Sequence, residues 1–144
     1  MRYLDTSSLV ALYYPEEKSE LVAAHLQRHP MPLAFSALHE VEFTNALQLK
    51  LFRRTATTKA LAATLGLLRA DVQSGVLQQV QVSWPVAFTT AARLARVHSR
   101  SLGTRTLDLL HIATALAVKA TEFITADERQ AQAAMNEGLD VVQL

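Results

Sequence analysis

Apolar positions are densest from Thr106 to Ala117, where Thr-Leu-Asp-Leu-Leu-His-Ile-Ala-Thr-Ala-Leu-Ala predicts a buried helix with Asp108 in its first turn. Soon after it, Glu122-Phe123-Ile124-Thr125-Ala126-Asp127 has the length and apolar content of a short buried strand that ends on an acid. Tyr3-Leu4 is a similar strand and stops on Asp5. Ser7 to Tyr14 then reads as a helix ended by Pro15. Glu16 to His29 carries Leu21, Val22 and Leu26 among charges, an amphipathic helix bounded by His29-Pro30-Met31-Pro32. Leu33-Ala34-Phe35 predicts a second strand. Ser36 then caps a helix running to Phe52, and a further helix spans Thr57 to Val72 on Leu61, Leu65 and Leu68.

Leu77 to Trp84 alternates apolar and polar residues, the period of a strand, and Pro85 opens a helix reaching Val97. His98 to Arg105 is polar, basic and contains Gly103, so it reads as a loop. Glu128 to Asn136 closes the helix set with Gly138 as its cap, and Asp140 to Leu144 is a last strand. Short apolar strands alternating with helices imply an α/β fold, a mainly parallel sheet covered on both faces. No linker or repeat divides residues 1–144, which predicts a single domain.

Composition narrows the classes. The 144 residues are 50% hydrophobic, enough for a sizeable core, yet no apolar run approaches the ~18 residues of a membrane span. An acid as early as Asp5 argues against a signal peptide at this N-terminus. Without cysteine there is no disulfide framework or thiolate metal site, which suits a reducing cytoplasm. A net charge of +1 does not announce a nucleic-acid binder, but the cations are clustered. Lys50, Arg53, Arg54 and Lys59 form one group; Arg93, Arg96, His98, Arg100 and Arg105 form another.

The acids carry the candidate chemistry. Taken singly, each has an ordinary role: Asp5 caps the following helix, Asp108 sits in the first turn of a helix capped by Thr106, and Asp127 with Gln130 forms a capping box. Together they converge, because ligands of open parallel sheets bind beyond the carboxyl ends of the strands, where Asp5 and Asp127 stand. Asp108 begins the helix that leads back to the strand ending at Asp127, which returns it to the same edge. Two like charges ~5 Å apart at an effective dielectric near 20 repel by roughly 3 kcal/mol, so such a cluster calls for a cation. Oxygen ligands without cysteine favour Mg2+ or Mn2+.

Four segments in order, Tyr3-Leu4-Asp5-Thr6-Ser7-Ser8, Ser36 to Leu47, Asp108 to Ala115, and Thr125-Ala126-Asp127, resemble the PIN-domain ribonucleases, specifically the VapC-type toxins of toxin–antitoxin pairs. That resemblance covers essentially the whole chain. It implies an α/β/α three-layer sandwich, Mg2+-dependent endonucleolytic cleavage of RNA by activated water, a homodimer, and neutralisation by a small cognate antitoxin. Residue by residue, the family's catalytic and metal-binding acids fall on Asp5, Glu42, Asp108 and Asp127. Ser7 and Thr125 are then expected beside Asp5 and Asp127, as orienting groups or helix and turn bonds.

Glu40 and Glu42, two residues apart on one helix, point about 200° apart, so only one faces the site. The family's spacing to Asn45-Ala46-Leu47, and a stripe of Leu38, Asn45, Ala46 and Leu49 expected to face inward, select Glu42. Asn45, one turn on, either bonds Glu42 or is structural. His111 is expected as a core or supporting residue, Trp84 as a core residue at a strand end, and Arg100 and Arg105 as solvated cations near a phosphate path. Two other readings compete: a haloacid-dehalogenase-like phosphotransferase using Asp5 as nucleophile, and a non-catalytic PIN-like interaction module. The first lacks the acid such chemistry wants at position 7; the second sits poorly with an intact acid set.

Overall fold

A computed structural model describes residues 1–28 and 30–144. Among them, five parallel strands form one sheet: β1 (Arg2–Leu4), β2 (Leu33–Phe35), β3 (Leu77–Gln79), β4 (Glu122–Thr125) and β5 (Val141–Gln143), ordered β3-β2-β1-β4-β5. Helices α1 (Thr6–Tyr13), α2 (Ser19–Arg28), α3 (Ala37–Phe52) and α4 (Thr58–Ser74) link the first three strands. Then come α5 (Trp84–Leu94), a π-helical turn (Ala95–Ser99), α6 (Arg100–Leu102), α7 (Thr106–Ala117) and α8 (Glu128–Asn136).

Alternation along the central strands builds two cores. Tyr3 and Phe123, paired across β1 and β4, face one side and stack with ring centroids 5.7 Å apart over Ala91, Leu94, Leu109, Ile112 and Ala134 of α5, α7 and α8. Leu4 and Ile124, one residue on, face the other side and meet Leu9, Val22, Phe43, Leu47, Leu61 and Leu68 of α1 to α4. Full burial of each such side chain contributes about 1.5–3 kcal/mol, enough to hold a strand of three or four residues in place. The α/β/α layering and the parallel sheet agree with the sequence pattern.

Several boundaries differ. The expected strand from Leu77 to Trp84 ends at Gln79, since β2, the strand it pairs with, stops at Phe35; the last rung is Val80 N–H to the Phe35 carbonyl at 2.9 Å. Trp84 is the first residue of α5, with Pro85 behind it, and packs partly buried against the core from there. His98 to Arg105 is not a loop throughout. The helix continues through the π turn and α6 to Gly103, whose φ of +70° ends it. His98 is buried within that turn because its Nε2 reaches Glu137 Oε1 at 2.7 Å. The helix expected from Glu16 starts at Ser19 and exposes Leu21, while His29, its expected end, lies outside the described residues. The expected inward stripe on α3 holds only at Leu38; Asn45 is exposed, Leu49 is 36% exposed and Ala46 is half-buried.

Candidate functional site

Three strand ends meet along the carboxyl edge of the sheet. Asp5 follows β1 directly and its N–H pairs with the Ile124 carbonyl at 2.9 Å, which sets it beside the end of β4. It caps α1: Oδ1 accepts from Ser8 N–H at 2.7 Å, and the Ser7 hydroxyl lies 3.0 Å from both oxygens. Thr125, the last residue of β4, stands 2.8 Å from Asp5 Oδ2. Asp5 is 5% exposed and its hydrogen-bond partners are all uncharged.

The same Thr125 hydroxyl joins the other acids. Its oxygen accepts the Asp127 N–H at 3.0 Å, and its proton is shared between Asp5 and Gln130 Oε1, each at 2.8 Å. Gln130 donates onward to the Asp108 main-chain carbonyl at 3.1 Å. Asp127 caps α8 by accepting from Arg129 and Gln130 N–H at 2.9 and 3.0 Å. Burial works against its ionised form, but the two N–H bonds and the Arg129 guanidinium at 3.5 Å hold its pKa below the usual carboxylate range. The capping box expected of Gln130 is therefore half made: its backbone serves Asp127, and its side chain braces Asp108. Asp108 itself accepts from Arg105 N–H at 2.8 Å. Thr106 is the first residue of α7 rather than its cap.

Glu42 comes from the second turn of α3, capped by Ser36 at the end of β2. Its Oε2 accepts from the Thr6 hydroxyl at 2.9 Å and from His111 Nε2 at 2.5 Å. Burial acts to raise its pKa, and the His111 and Thr6 bonds outweigh that and hold it below the ordinary glutamate value. Glu40 is exposed and takes no part. Thr6, Ser7 and Glu42 line a groove of about 530 Å3 with Val41, Leu49, Lys50 and Arg53. A larger cavity, about 750 Å3, lies at the amino ends of β2 and β3 among Leu26, Pro32, Leu33 and Val76 and contains none of the four acids.

Sequence reasoning passed over Thr6, Tyr3 and His39 as working residues and gave Gln130 only a capping role. A polar group inside an apolar run was the available signal, because a buried polar atom needs a partner.

A PIN-domain family model matches residues 2–136. The chain belongs to the PIN-domain family. Among solved structures, this PIN domain is similar to one described as "Crystal Structure of FitAcB from Neisseria gonorrhoeae", with a TM-score of 0.64 and 19% identity over 99% of this chain and 97% of that one. At that identity the likeness is one of fold. The curated proteins contain no match.

The acids suit a hard cation by their chemistry, being carboxylate oxygens alone. Among the described residues, however, no three His, Cys, Asp or Glu side chains are gathered closely enough to hold a metal ion by themselves. That openness fits Mg2+, which usually takes one or two carboxylates and completes its shell with water and substrate phosphate oxygens. Asp108 Oδ1 and Glu42 Oε1 lie outside the hydrogen bonds described, and either is free to accept such an ion.

Proposed function

We propose that this PIN domain is a metal-dependent endoribonuclease and the toxin of a toxin–antitoxin pair, acting in the cytoplasm as a homodimer that a small antitoxin neutralises. One observation supports the nuclease reading above the others. Asp5, Asp108 and Glu42 are oriented by hydroxyls, backbone N–H groups and one imidazole, which direct a carboxylate without cancelling its charge as a guanidinium would.

Asp5, Glu42, Asp108 and Asp127 would hold Mg2+ or Mn2+, which supplies an activated water and offsets charge developing on the phosphodiester. The chain's own part is preorganisation. Ser7, Ser8 and Thr125 fix Asp5, and Gln130 ties the first turn of α7 to the end of β4, so the acids need little rearrangement when substrate arrives. Ser7 donates to Asp5 at the position where a haloacid-dehalogenase-like enzyme would need a second acid, which weighs against that reading.

Purified protein, labelled RNA and added Mg2+ test the reaction. Asp5→Asn and Asp108→Asn are expected to keep the fold and abolish cleavage; undiminished cleavage by either variant, or by the parent in EDTA, removes the metal mechanism. Glu42→Gln is expected to cripple cleavage while Glu40→Gln leaves most of it, and the reverse would exchange their roles. Growth arrest on expression alone, and a dimer by sedimentation at micromolar concentration, are the outcomes expected of a toxin. Harmless accumulation of soluble protein would count against that role.

A further inference from the structure

Beneath the acids lies a layer of buried rings, of which the mechanism above uses only the edge of one imidazole. Tyr3 of β1, His39 of α3 and His111 of α7 are 0%, 0% and 3% exposed and form a triangle of mutually packed rings, with centroid distances of 4.6, 5.3 and 5.7 Å. His39 has a structural assignment: Nδ1 accepts from Ser36 N–H at 3.0 Å and Nε2 donates to the Leu4 carbonyl at 2.8 Å. Burial, with His111 alongside, pushes its pKa down to about 3, so it stays a neutral brace between the ends of β1 and β2.

His111 is connected differently. An ionised carboxylate only accepts, so the 2.5 Å contact with Glu42 Oε2 places a proton on His111 Nε2. Nδ1 then accepts a hydrogen bond from the Tyr3 hydroxyl at 2.8 Å, and the Tyr3 ring packs against both Phe123 and His39. Thr6 donates to the same Glu42 oxygen. Both hydrogen bonds to Glu42 thus fall on Oε2.

We propose that His111, anchored by the Tyr3 hydroxyl, is a positioning residue that with Thr6 ties Glu42 Oε2 and presents Oε1 to a divalent cation. The inference rests on reading Glu42 as a cation ligand. It extends to this acid a general feature of metal sites, where the groups that hold a ligand matter nearly as much as the ligand. A glutamate side chain has three free torsions, and the Tyr3–His111–Glu42 chain removes that freedom from a buried, rigid base.

Mn2+ binding to metal-free protein, followed by the EPR signal of the free ion, tests the inference independently of turnover. His111→Leu is expected to weaken binding by about 10- to 100-fold. Glu42→Gln should do the same, and the double variant should lose no more than the larger single loss, since the two act as one unit. His111→Gln, which restores an N–H donor, should recover part of the affinity, and Tyr3→Phe should lose less than His111→Leu. A folded His111→Leu protein with unchanged affinity beside a weakened Glu42→Gln, or additive losses in the double variant, overturns the role of His111 and leaves Glu42 a ligand. Unchanged affinity in Glu42→Gln removes Glu42 from the site, and the inference with it. If His111→Leu does not fold, the parent protein decides. Nitrogen NMR of its imidazole should show the proton on Nε2, and a ring protonated only on Nδ1 overturns the proposal.

Discussion

At the amino ends of β1 and β4, Arg2 Nε lies 2.9 Å from Glu122 Oε2 and His25 Nε2 reaches the same oxygen at 2.9 Å. Glu137, just beyond α8, is likewise taken by Arg93 at 2.6 Å and His98 at 2.7 Å. Among the described residues, the side chains of Asp5, at the carboxyl end of β1, and Asp108, in the first turn of α7, accept hydrogen bonds only from hydroxyls and backbone N–H groups. Among the described residues, the one guanidinium paired with any of the four candidate acids is Arg129, at 3.5 Å from Asp127. Glu42 stands between the two cases, because its imidazole partner carries charge only when protonated. The contrast separates acids paired with cations inside the fold from acids oriented without one, which is the arrangement the proposed metal-dependent reaction would need.

The sharpest way to break that comparison is through stability. Arg2 is almost fully buried, so Arg2→Leu leaves the Glu122 carboxylate only its His25 contact among the described residues and should cost about 2 kcal/mol in urea denaturation. Asp5→Asn should change stability far less, since asparagine caps a helix as well as aspartate does and the substitution removes charge from an acid-rich edge. An Asp5→Asn loss as large as that of Arg2→Leu would erase the distinction between the two ends.

Acid titration gives a smaller effect with a defined sign. The Arg93 bond, against opposing burial and with help from His98, holds the Glu137 pKa below the ordinary glutamate value. A carboxyl group depressed in the folded state contributes stability that is complete above its unfolded pKa, about 4.3, and is lost as pH falls through the folded value. The melting temperature should therefore fall on the acid side of that range. Glu137→Gln should lower it at neutral pH and flatten its acid decline; an unchanged profile would show that the pair contributes nothing net.

How much of this was legible in the sequence follows from the range of each interaction. β1, β2, β4 and α7 are local apolar runs, so their existence and the stops at Asp5 and Ser36 were legible, whereas the strand expected to end on Asp127 ends at Thr125, where the Thr125 hydroxyl turns to accept the Asp127 N–H. The length of β3 was not legible, because it depends on where β2 ends, more than forty residues earlier in the chain. The π turn was not legible either, since burial of His98 depends on Glu137, 39 residues away. The same holds for the Tyr3–His111–Glu42 chain, joined across separations of 108 and 69 residues. His111 between Leu110 and Ile112 announced that a partner must exist; only the fold could say that Glu42 was that partner.

Arg129 offers the smallest test of the comparison. It is the exception at the carboxyl edge, a cation beside Asp127 that also reaches the Gly103 carbonyl at 3.4 Å. Its side chain is 46% exposed and the contact is long, so the pair should contribute little to folding, and Arg129→Gln should leave stability within about 0.5 kcal/mol. Its charge still competes with any cation drawn to the edge. Removing it should tighten Mn2+ binding by about threefold at low ionic strength, the size expected for one solvent-screened charge several ångströms away, and the gain should fade as salt rises. Tighter binding that persists in high salt would instead point to direct occupation of the ion's place by the guanidinium. Weaker binding would mean that Arg129 holds Asp127 in its working orientation, and would move Arg129 from the exception to the supporting set.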